Sequence, residues 1–206
     1  MEMIIVSGFL GAGKTSVILS LAHYLARGAG DADPKRTGPR VALVENEIGD
    51  VAYDESLLAQ SGFYVKNMLS GCICCTLNAD LITTLRDIAE RIGPAYVVFE
   101  PTGLAFPGRI VASVREFVGA LNSARIIAVL DVERFDALLK VSPQLVSAQL
   151  ADADAILINK ADMASADALR DIASMVKSIN ARAICFETVA TDGIPDAVWE
   201  EIFQDA

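Results

Sequence analysis

Apolar residues along this chain follow two patterns. Short continuous apolar runs alternate with stretches in which apolar residues recur at helical spacing. The short runs predict strands over residues 3–7, 40–45, 63–66, 96–100, 125–131, 155–159 and 183–186. Continuous apolar strands separated by helices are typical of parallel sheets that are covered on both faces. We therefore predict an α/β fold with a mostly parallel sheet and helices on both faces.

Helical spacing is clear in four stretches. The first covers residues 16–22, the second spans 77–92, the third begins near Pro107, and the fourth follows Ser165. Pro107 suits the first turn of a helix, where its missing N–H has no partner to lose. Since the 206 residues contain no internal repeat and no linker, we expect a single domain over residues 1–206.

The segment GFLGAGKT, from Gly8 to Thr15, lies between the first strand and the first helix. It fits the pattern G-x-x-x-x-G-K-[ST], in which backbone N–H groups and a helix N-terminus surround a polyphosphate. In this pattern Lys14 contacts the β- and γ-phosphates and the Thr15 hydroxyl binds Mg²⁺. A plain glycine-rich turn is the alternative, and the flanking strand and helix disfavour it. The nucleotide-contacting residues predicted here are Gly8, Gly11, Ala12, Gly13, Lys14, Thr15 and Ser16.

The segment Asn159-Lys160-Ala161-Asp162 ends a predicted strand, at the edge of the sheet where ligands bind. Its pattern is specific for guanine, because the Asp162 carboxylate can accept from the ring N–H and the exocyclic amine. Adenine would present a lone pair to the same carboxylate. We expect the Asn159 amide to reach the purine edge and the Lys160 stem to lie along the base. Val189, which follows the last strand, is a weaker candidate for contact with the guanine.

Three cysteines, Cys72, Cys74 and Cys75, lie within a stretch of four residues. Three interpretations remain open for them: small apolar packing residues, a redox pair, or thiolate ligands of a soft or borderline metal ion. The spacing favours metal binding over packing. Cys185 lies in an apolar run and is predicted to belong to the core. His23, the only histidine, is predicted to be a surface or packing residue.

Charge and composition exclude several classes of protein. The formal net charge of −10 disfavours nucleic acids and anionic membranes as partners, since both attract basic surfaces. No apolar run approaches the length of a membrane span, and the N-terminus lacks the features of a secretory signal. We therefore expect a cytoplasmic protein in which the four cysteines are reduced.

In order and spacing, five segments resemble the motifs of the CobW-type P-loop GTPases, a family of metallochaperones. These segments are GFLGAGKT, Glu45-Asn46-Glu47-Ile48-Gly49, GCICC, Glu100-Pro101-Thr102-Gly103 and NKAD. The resemblance covers essentially the whole chain. It implies a P-loop NTPase that uses GTP and Mg²⁺ and carries Zn²⁺ or Co²⁺, or that serves a cobalamin-dependent system.

The resemblance also implies roles for individual residues. Glu45, Asp50 and the three cysteines, Cys72, Cys74 and Cys75, match positions that are linked in the family to metal binding or switching. Glu100 takes the place of the Walker B acid, and Gly103 is placed to sense the γ-phosphate. Many family members carry a C-terminal domain and a histidine-rich stretch, and both are expected to be absent here because the sequence ends at Ala206.

Together these interpretations predict a GTP-hydrolysing metal chaperone in which Lys14, Thr15 and Glu100 act in catalysis. Hydrolysis is expected to be slow, because no glutamine or arginine stands out for positioning water or neutralising charge. Arg109 and Arg115 remain candidates for action in trans. The expected partners are a client metalloenzyme or corrinoid protein and a second chain in a nucleotide-dependent homodimer. A metal-independent GTP switch that gates cofactor loading is the main alternative. A small-molecule kinase is disfavoured by the NKAD segment.

Overall fold

Seven parallel strands form one sheet in the computed structural model, which describes residues 1–28, 38–45, 63–68 and 77–204. The side chains of residues 77 and 78 lie outside this description. The strands are β1 Glu2–Ser7, β2 Val41–Glu45, β3 Tyr64–Asn67, β4 Tyr96–Glu100, β5 Ser123–Asp131, β6 Ala155–Asn159 and β7 Ile184–Thr188. They lie side by side in the order β3-β2-β4-β1-β5-β6-β7, and every neighbouring pair is parallel.

The described parts of the chain contain seven α-helices. They are α1 Lys14–Arg27, α2 Leu77–Arg91, α3 Pro107–Phe117, α4 Phe135–Val141, α5 Pro143–Ala151, α6 Ala166–Ile179 and α7 Asp196–Phe203. Two short 3₁₀ turns, Ala161–Met163 and Ala190–Asp192, follow β6 and β7. Among these helices none is long and apolar enough to cross a membrane.

Both faces of the sheet are buried, because successive side chains of a strand point to opposite faces. Met3 and Ile5 of β1 pack into the core beneath α2, α3, α5 and α6, whereas Ile4 and Val6 pack into the core beneath α1 and α7. All four side chains are fully buried. The predicted α/β fold, with a parallel sheet and helices on both faces, is therefore confirmed.

The seven predicted strands are all present, with ends that differ from the prediction by a residue or two. Helices α4, α5 and α7, by contrast, were not predicted. Each is short: α4 buries Phe135, α5 buries Val146, Gln149 and Leu150, and α7 buries Trp199 and Ile202. Such short helices bury too few apolar residues to reveal a helical period, and a buried glutamine interrupts the apolar pattern further.

The register of the strands aligns polar residues along the carboxyl edge of the sheet. Glu45 of β2 lies opposite Glu100 of β4, and Asp131 of β5 lies opposite Asn159 of β6. Asn159 in turn lies opposite Thr188 of β7. The loop after β1 emerges at this same edge, which is where ligands bind in open parallel sheets.

Candidate functional site

The loop between β1 and α1 has a backbone conformation that only glycine tolerates at its last position. Gly13 precedes the first residue of α1 and has φ 94° and ψ 21°, in the left-handed region. A Cβ atom at Gly13 would stand 2.3 Å from the side-chain nitrogen of Asn159. Helix α1 therefore begins directly at Lys14, and its positive N-terminal end faces the loop.

Lys14 and Glu100 form a buried ion pair beside this loop. The Lys14 Nζ atom is 3.5 Å from Glu100 Oε1, and both side chains are more than nine-tenths buried. Lys14 Nζ also donates to the carbonyl oxygen of Phe9, at 3.3 Å. Because β1 and β4 are neighbours, the carboxylate at the end of β4 comes next to the first residue of α1. Thr15 and Ser16 follow in the first turn of α1, and both are half-buried.

Of the residues predicted to hold a metal, Thr15 and Glu45 lie in the described parts of the chain. Glu45 ends β2 in register with Glu100, so that two acidic residues end neighbouring strands at the same edge. Asp50, Cys72, Cys74 and Cys75 lie outside the described residues. Within the described ranges, no group of three or more histidine, cysteine, aspartate or glutamate side chains is arranged to hold a metal ion.

Asn159 connects the Gly8–Thr15 segment that runs from β1 into α1, called the phosphate loop below, to the turn after β7. Its Nδ2 atom donates to the carbonyl oxygen of Ala12, at 2.8 Å. Its Oδ1 atom accepts from the backbone N–H of Ala190, at 2.9 Å, and from the Thr188 hydroxyl, at 3.3 Å. An amide nitrogen carries two hydrogens, so the bond to Ala12 uses one of them. The expected contact of Asn159 with a purine is thus combined with a buried structural role.

Lys160 is the only residue other than glycine with a positive φ in the part of the chain that the structure describes, at 62°. Its Nζ atom lies 2.7 Å from Asp131 Oδ2 and 3.7 Å from Glu133 Oε2. Asp131 is almost fully buried, and its Oδ1 atom accepts the backbone N–H of Glu133 at 3.0 Å. Asp131 therefore holds the Lys160 side chain beside the segment predicted to bind the base. Asp162 lies exposed in the following 3₁₀ turn.

Asp131 was not predicted from the sequence, although a signal for it exists. It is an acidic residue at the end of an apolar strand, and β6, the next strand along the chain, ends at Asn159. Parallel strands that are consecutive in the chain often neighbour each other, so both polar ends could have been inferred to lie at one edge. Val189, the weaker candidate, is half-buried beside Thr188 and Ala190.

Arg134 is the arginine that contacts the phosphate loop. Its Nη1 atom donates to the carbonyl oxygen of Leu10 at 3.1 Å, and its Nε atom lies 3.8 Å from Asp131 Oδ2. The two arginines considered from the sequence are placed elsewhere. Arg109 lies over the Phe106 ring, and Arg115 approaches the carbonyl oxygen of Ala124 near the amino end of β5. Arg134 could not be predicted from the sequence, because nothing local to it indicates the long-range contact.

Gly103 lies against the phosphate loop from the β4 side. A Cβ atom at this position would stand 3.1 Å from the backbone nitrogen of Leu10. The surrounding residues form a turn in which the Ala105 N–H donates to the Thr102 carbonyl at 2.9 Å. A side chain at this position would require the two backbone segments to move apart by a few tenths of an ångström, so the close approach favours glycine.

His23 and Cys185 lie away from this edge, in the positions expected for packing residues. The His23 ring is exposed and contacts Phe63 edge to face, with ring centres 5.4 Å apart. Cys185 is half-buried on β7 and packs against the core. Burial raises the pKa of its thiol, and the nearby Lys177 lowers it by less. The thiol is therefore protonated at neutral pH.

Comparison with known proteins gives a consistent result. A family model described as CobW/HypB/UreG, nucleotide-binding domain, matches residues 2–187 of the chain. The zinc-regulated GTPase metalloprotein activator 1 of Schizosaccharomyces pombe is 33% identical, over 98% of this chain and 48% of that protein. The zinc chaperone CobW of a Sinorhizobium species is 32% identical, over 86% of this chain and 56% of that protein.

A similar fold is found among solved structures. The Zn(II)-bound YjiA GTPase from E. coli has a TM-score of 0.66 at 26% identity, covering 95% of this chain and 59% of that chain. The chain spans about half the length of the curated relatives it matches.

Removing the Asn159 side chain should affect both stability and ligand binding. We expect Asn159→Ala to lower the free energy of unfolding by about 1–3 kcal/mol, because the Ala190 N–H loses a buried acceptor. Nucleotide affinity should fall as well, since the loop loses its bond at Ala12. Urea unfolding and calorimetric titration measure the two effects. Asn122→Ala, at an exposed asparagine, is the matched control. Equal stability of the two variants would contradict the structural role given to the Asn159 hydrogen bonds.

Removing the Arg134 side chain should weaken nucleotide binding without unfolding the protein. The Arg134 side chain is 59% exposed, so little core packing is lost. Loss of its bond to Leu10 should lower nucleotide affinity about threefold to tenfold, the usual range for one hydrogen bond. Fluorescence titration with a labelled nucleotide tests this expectation. Arg170→Ala, on the exposed surface of α6, is the control and should leave the affinity unchanged.

Proposed function

The chain belongs to the CobW/HypB/UreG family of nucleotide-binding domains, and we propose that it binds and hydrolyses GTP in order to hold and deliver a metal ion. The observation that carries the proposal is the meeting of the Gly8–Thr15 loop and the Asn159–Asp162 segment at one edge of the sheet, joined by Asn159. The resemblance deduced from the five motifs is confirmed by the family match. The relatives described above are named a zinc chaperone and a GTPase metalloprotein activator.

Selection of GTP over ATP is assigned to Asp162, Lys160 and Asn159. Asp162 is exposed at the carboxyl edge, where its carboxylate is accessible to a base. Lys160, held at 2.7 Å from Asp131, offers its aliphatic stem to the face of a purine. A guanine would satisfy the Asp162 carboxylate with two N–H donors, whereas adenine would leave it opposite a ring nitrogen lone pair.

Hydrolysis is assigned to the residues around Lys14. The ammonium of Lys14 and the N–H groups of the loop stabilise negative charge on the β- and γ-phosphates. Thr15 and Glu100 supply oxygen donors of the kind that suit Mg²⁺, which would neutralise phosphate charge when bound. Glu100, at 3.5 Å from Lys14, keeps that ammonium at the phosphate site. Gly103, against the loop, is proposed to contact the γ-phosphate through the backbone.

The transported metal is proposed to bind Cys72, Cys74 and Cys75 together with Glu45 or Asp50. Thiolates suit Zn²⁺ in a tetrahedral site, and Co²⁺ accepts the same donors. The Zn(II)-bound YjiA structure supports zinc as the first candidate. If the metal and GTP favour the same conformation, each must raise the affinity for the other, and hydrolysis then lowers the affinity for the metal.

Apolar residues beside the phosphate loop offer a surface for a partner that responds to the nucleotide. Leu10, Leu104 and Phe106 are 69%, 66% and 41% exposed, and Gly103 brings the last two close to the loop. Exposed apolar residues in this position suit a client metalloenzyme, a corrinoid protein or a second copy of the chain. We propose that the surface formed by these residues differs between the GTP-bound and GDP-bound states.

Nucleotide selectivity tests the first part of the proposal. We expect Mg²⁺–GTP to bind at least about 100-fold more tightly than Mg²⁺–ATP, because a polar site rejects a base that leaves its groups unpaired. Asp162→Asn should weaken GTP binding and allow xanthosine triphosphate to bind, since the donor pattern is reversed. Calorimetry measures each affinity. Asp167→Asn, an exposed aspartate on α6, is the control, and similar affinities for GTP and ATP would contradict the assignment.

Metal binding tests the second part. We expect one Zn²⁺ or Co²⁺ per chain, bound more tightly with a GTP analogue than with GDP. Cobalt bound to thiolates gives a near-ultraviolet charge-transfer band, which should disappear when Cys74 and Cys75 are changed to Ser. Cys185→Ser is the matched control, because its protonated thiol lies on β7. Equal metal affinity with both nucleotides would remove the basis for delivery, and undetectable metal binding would favour a metal-independent GTP switch.

A further inference from the structure

A buried glutamine on α5 is bonded to the turn that follows β4. Gln149 is 2% exposed, and its Nε2 atom donates to the carbonyl oxygen of Gly103 at 2.7 Å. The helix that carries it is itself fixed in place. The Asn180 side chain donates to the carbonyl oxygens of Leu150 and Ala153, both at 2.8 Å, at the carboxyl end of α5. Gln149 therefore connects a rigid helix to a segment beside the phosphate loop.

The bond determines the orientation of one peptide group. The Ala105 N–H donates to the Thr102 carbonyl, which makes Gly103 and Leu104 the central residues of a turn. The peptide between them has its carbonyl oxygen toward α5, and because the peptide is planar and trans, its N–H points the opposite way. Neither Gly103 nor Leu104 has a positive φ, and a reversal of this peptide would require a positive φ at Leu104, the second central residue. The Gln149 amide stabilises the observed orientation further.

This peptide lies directly beside the phosphate loop. Gly103 approaches so closely that a Cβ would stand 3.1 Å from the Leu10 nitrogen and 3.5 Å from the Gly8 carbonyl oxygen. A rotation of the turn would therefore change the contact between the two backbone segments. The orientation of the Gly103–Leu104 peptide is thus coupled to the geometry of the loop.

The surroundings of Gln149 favour the bond over its loss. A small cavity of about 20 Å³ adjoins the side chain, and its lining is mainly apolar, with Phe9, Val146 and Leu150 among the lining residues. The cavity gives the side chain space to move. An amide that left the Gly103 carbonyl would lose a buried hydrogen bond there, which is costly in apolar surroundings.

We propose that Gln149 is a positioning residue for Gly103, which sets the turn in the orientation that favours a nucleoside triphosphate over a diphosphate. The inference rests on the proposed function, in which Gly103 contacts the γ-phosphate. It assigns to α5, a helix without any nucleotide-binding motif, a part in distinguishing GTP from GDP. Gln149 contacts no nucleotide itself and acts through the Gly103 carbonyl.

The test compares the ratio of affinities for a non-hydrolysable GTP analogue and for GDP. Gln149→Met retains the length of the side chain without a donor and should lower the ratio about threefold to tenfold, with GDP affinity unchanged. Gln149→Glu places a carboxylate against the Gly103 carbonyl and should lower the ratio further. Gln144→Met, at an exposed glutamine of the same helix, is the control and should behave as the wild type.

A second measurement needs no variant. The chain has four glutamines, so the side-chain amide signals of glutamine-labelled protein can be assigned. The Gln149 amide should be better protected from hydrogen exchange than the exposed amides of Gln144 and Gln204, and more protected with the GTP analogue than with GDP. An unchanged affinity ratio in Gln149→Met, or equal protection with both nucleotides, would overturn the inference. Failure of the wild type to bind GTP at all would instead contradict the proposed function.

Discussion

The rest of the site depends on the hydrogen bonds that the Asn159 side chain makes. One buried amide joins the phosphate loop at Ala12 to the turn at Ala190, so that the two segments proposed to bind the nucleotide have a fixed separation. The close approach also explains why Gly13 lacks a side chain, since a Cβ there would collide with the amide. A hydrogen bond in these buried surroundings is retained because its loss would leave buried polar groups unpaired. The site therefore exists in an assembled form in the fold itself.

Charged side chains at the same edge are held by partners within the protein itself, without any contribution from a ligand. Lys14 has Glu100 and the Phe9 carbonyl, and Lys160 has Asp131. A buried charge without a partner is costly, which is why each cation lies beside an acidic residue. Their positions are thus preorganised, and preorganised groups stabilise phosphate charge without a further reorganisation of the protein.

Two elements that carry no nucleotide-binding motif complete the edge. Arg134 reaches back from the segment after β5 to the Leu10 carbonyl, and Gln149 reaches from α5 to the Gly103 carbonyl. Each contact is made to a backbone oxygen and depends on where the chain passes, not on the local sequence. The phosphate loop is therefore contacted by Asn159 and Arg134, and the turn packed against it by Gln149.

The sequence by itself determined the strands, the Gly8–Thr15 loop and the segment predicted to select guanine, because each depends on residues that are neighbours in the chain. Apolar runs specify buried strands, and the Gly8–Thr15 pattern specifies a backbone conformation within a single loop. The tertiary structure alone decided that Asp131 holds Lys160, that Arg134 contacts Leu10 and that Gln149 contacts Gly103. Helices α4, α5 and α7 were likewise not predicted from the sequence pattern, since they bury few apolar residues. These features could not be predicted because each joins side chains to distant backbone through packing, and local periodicity carries no information about such partners.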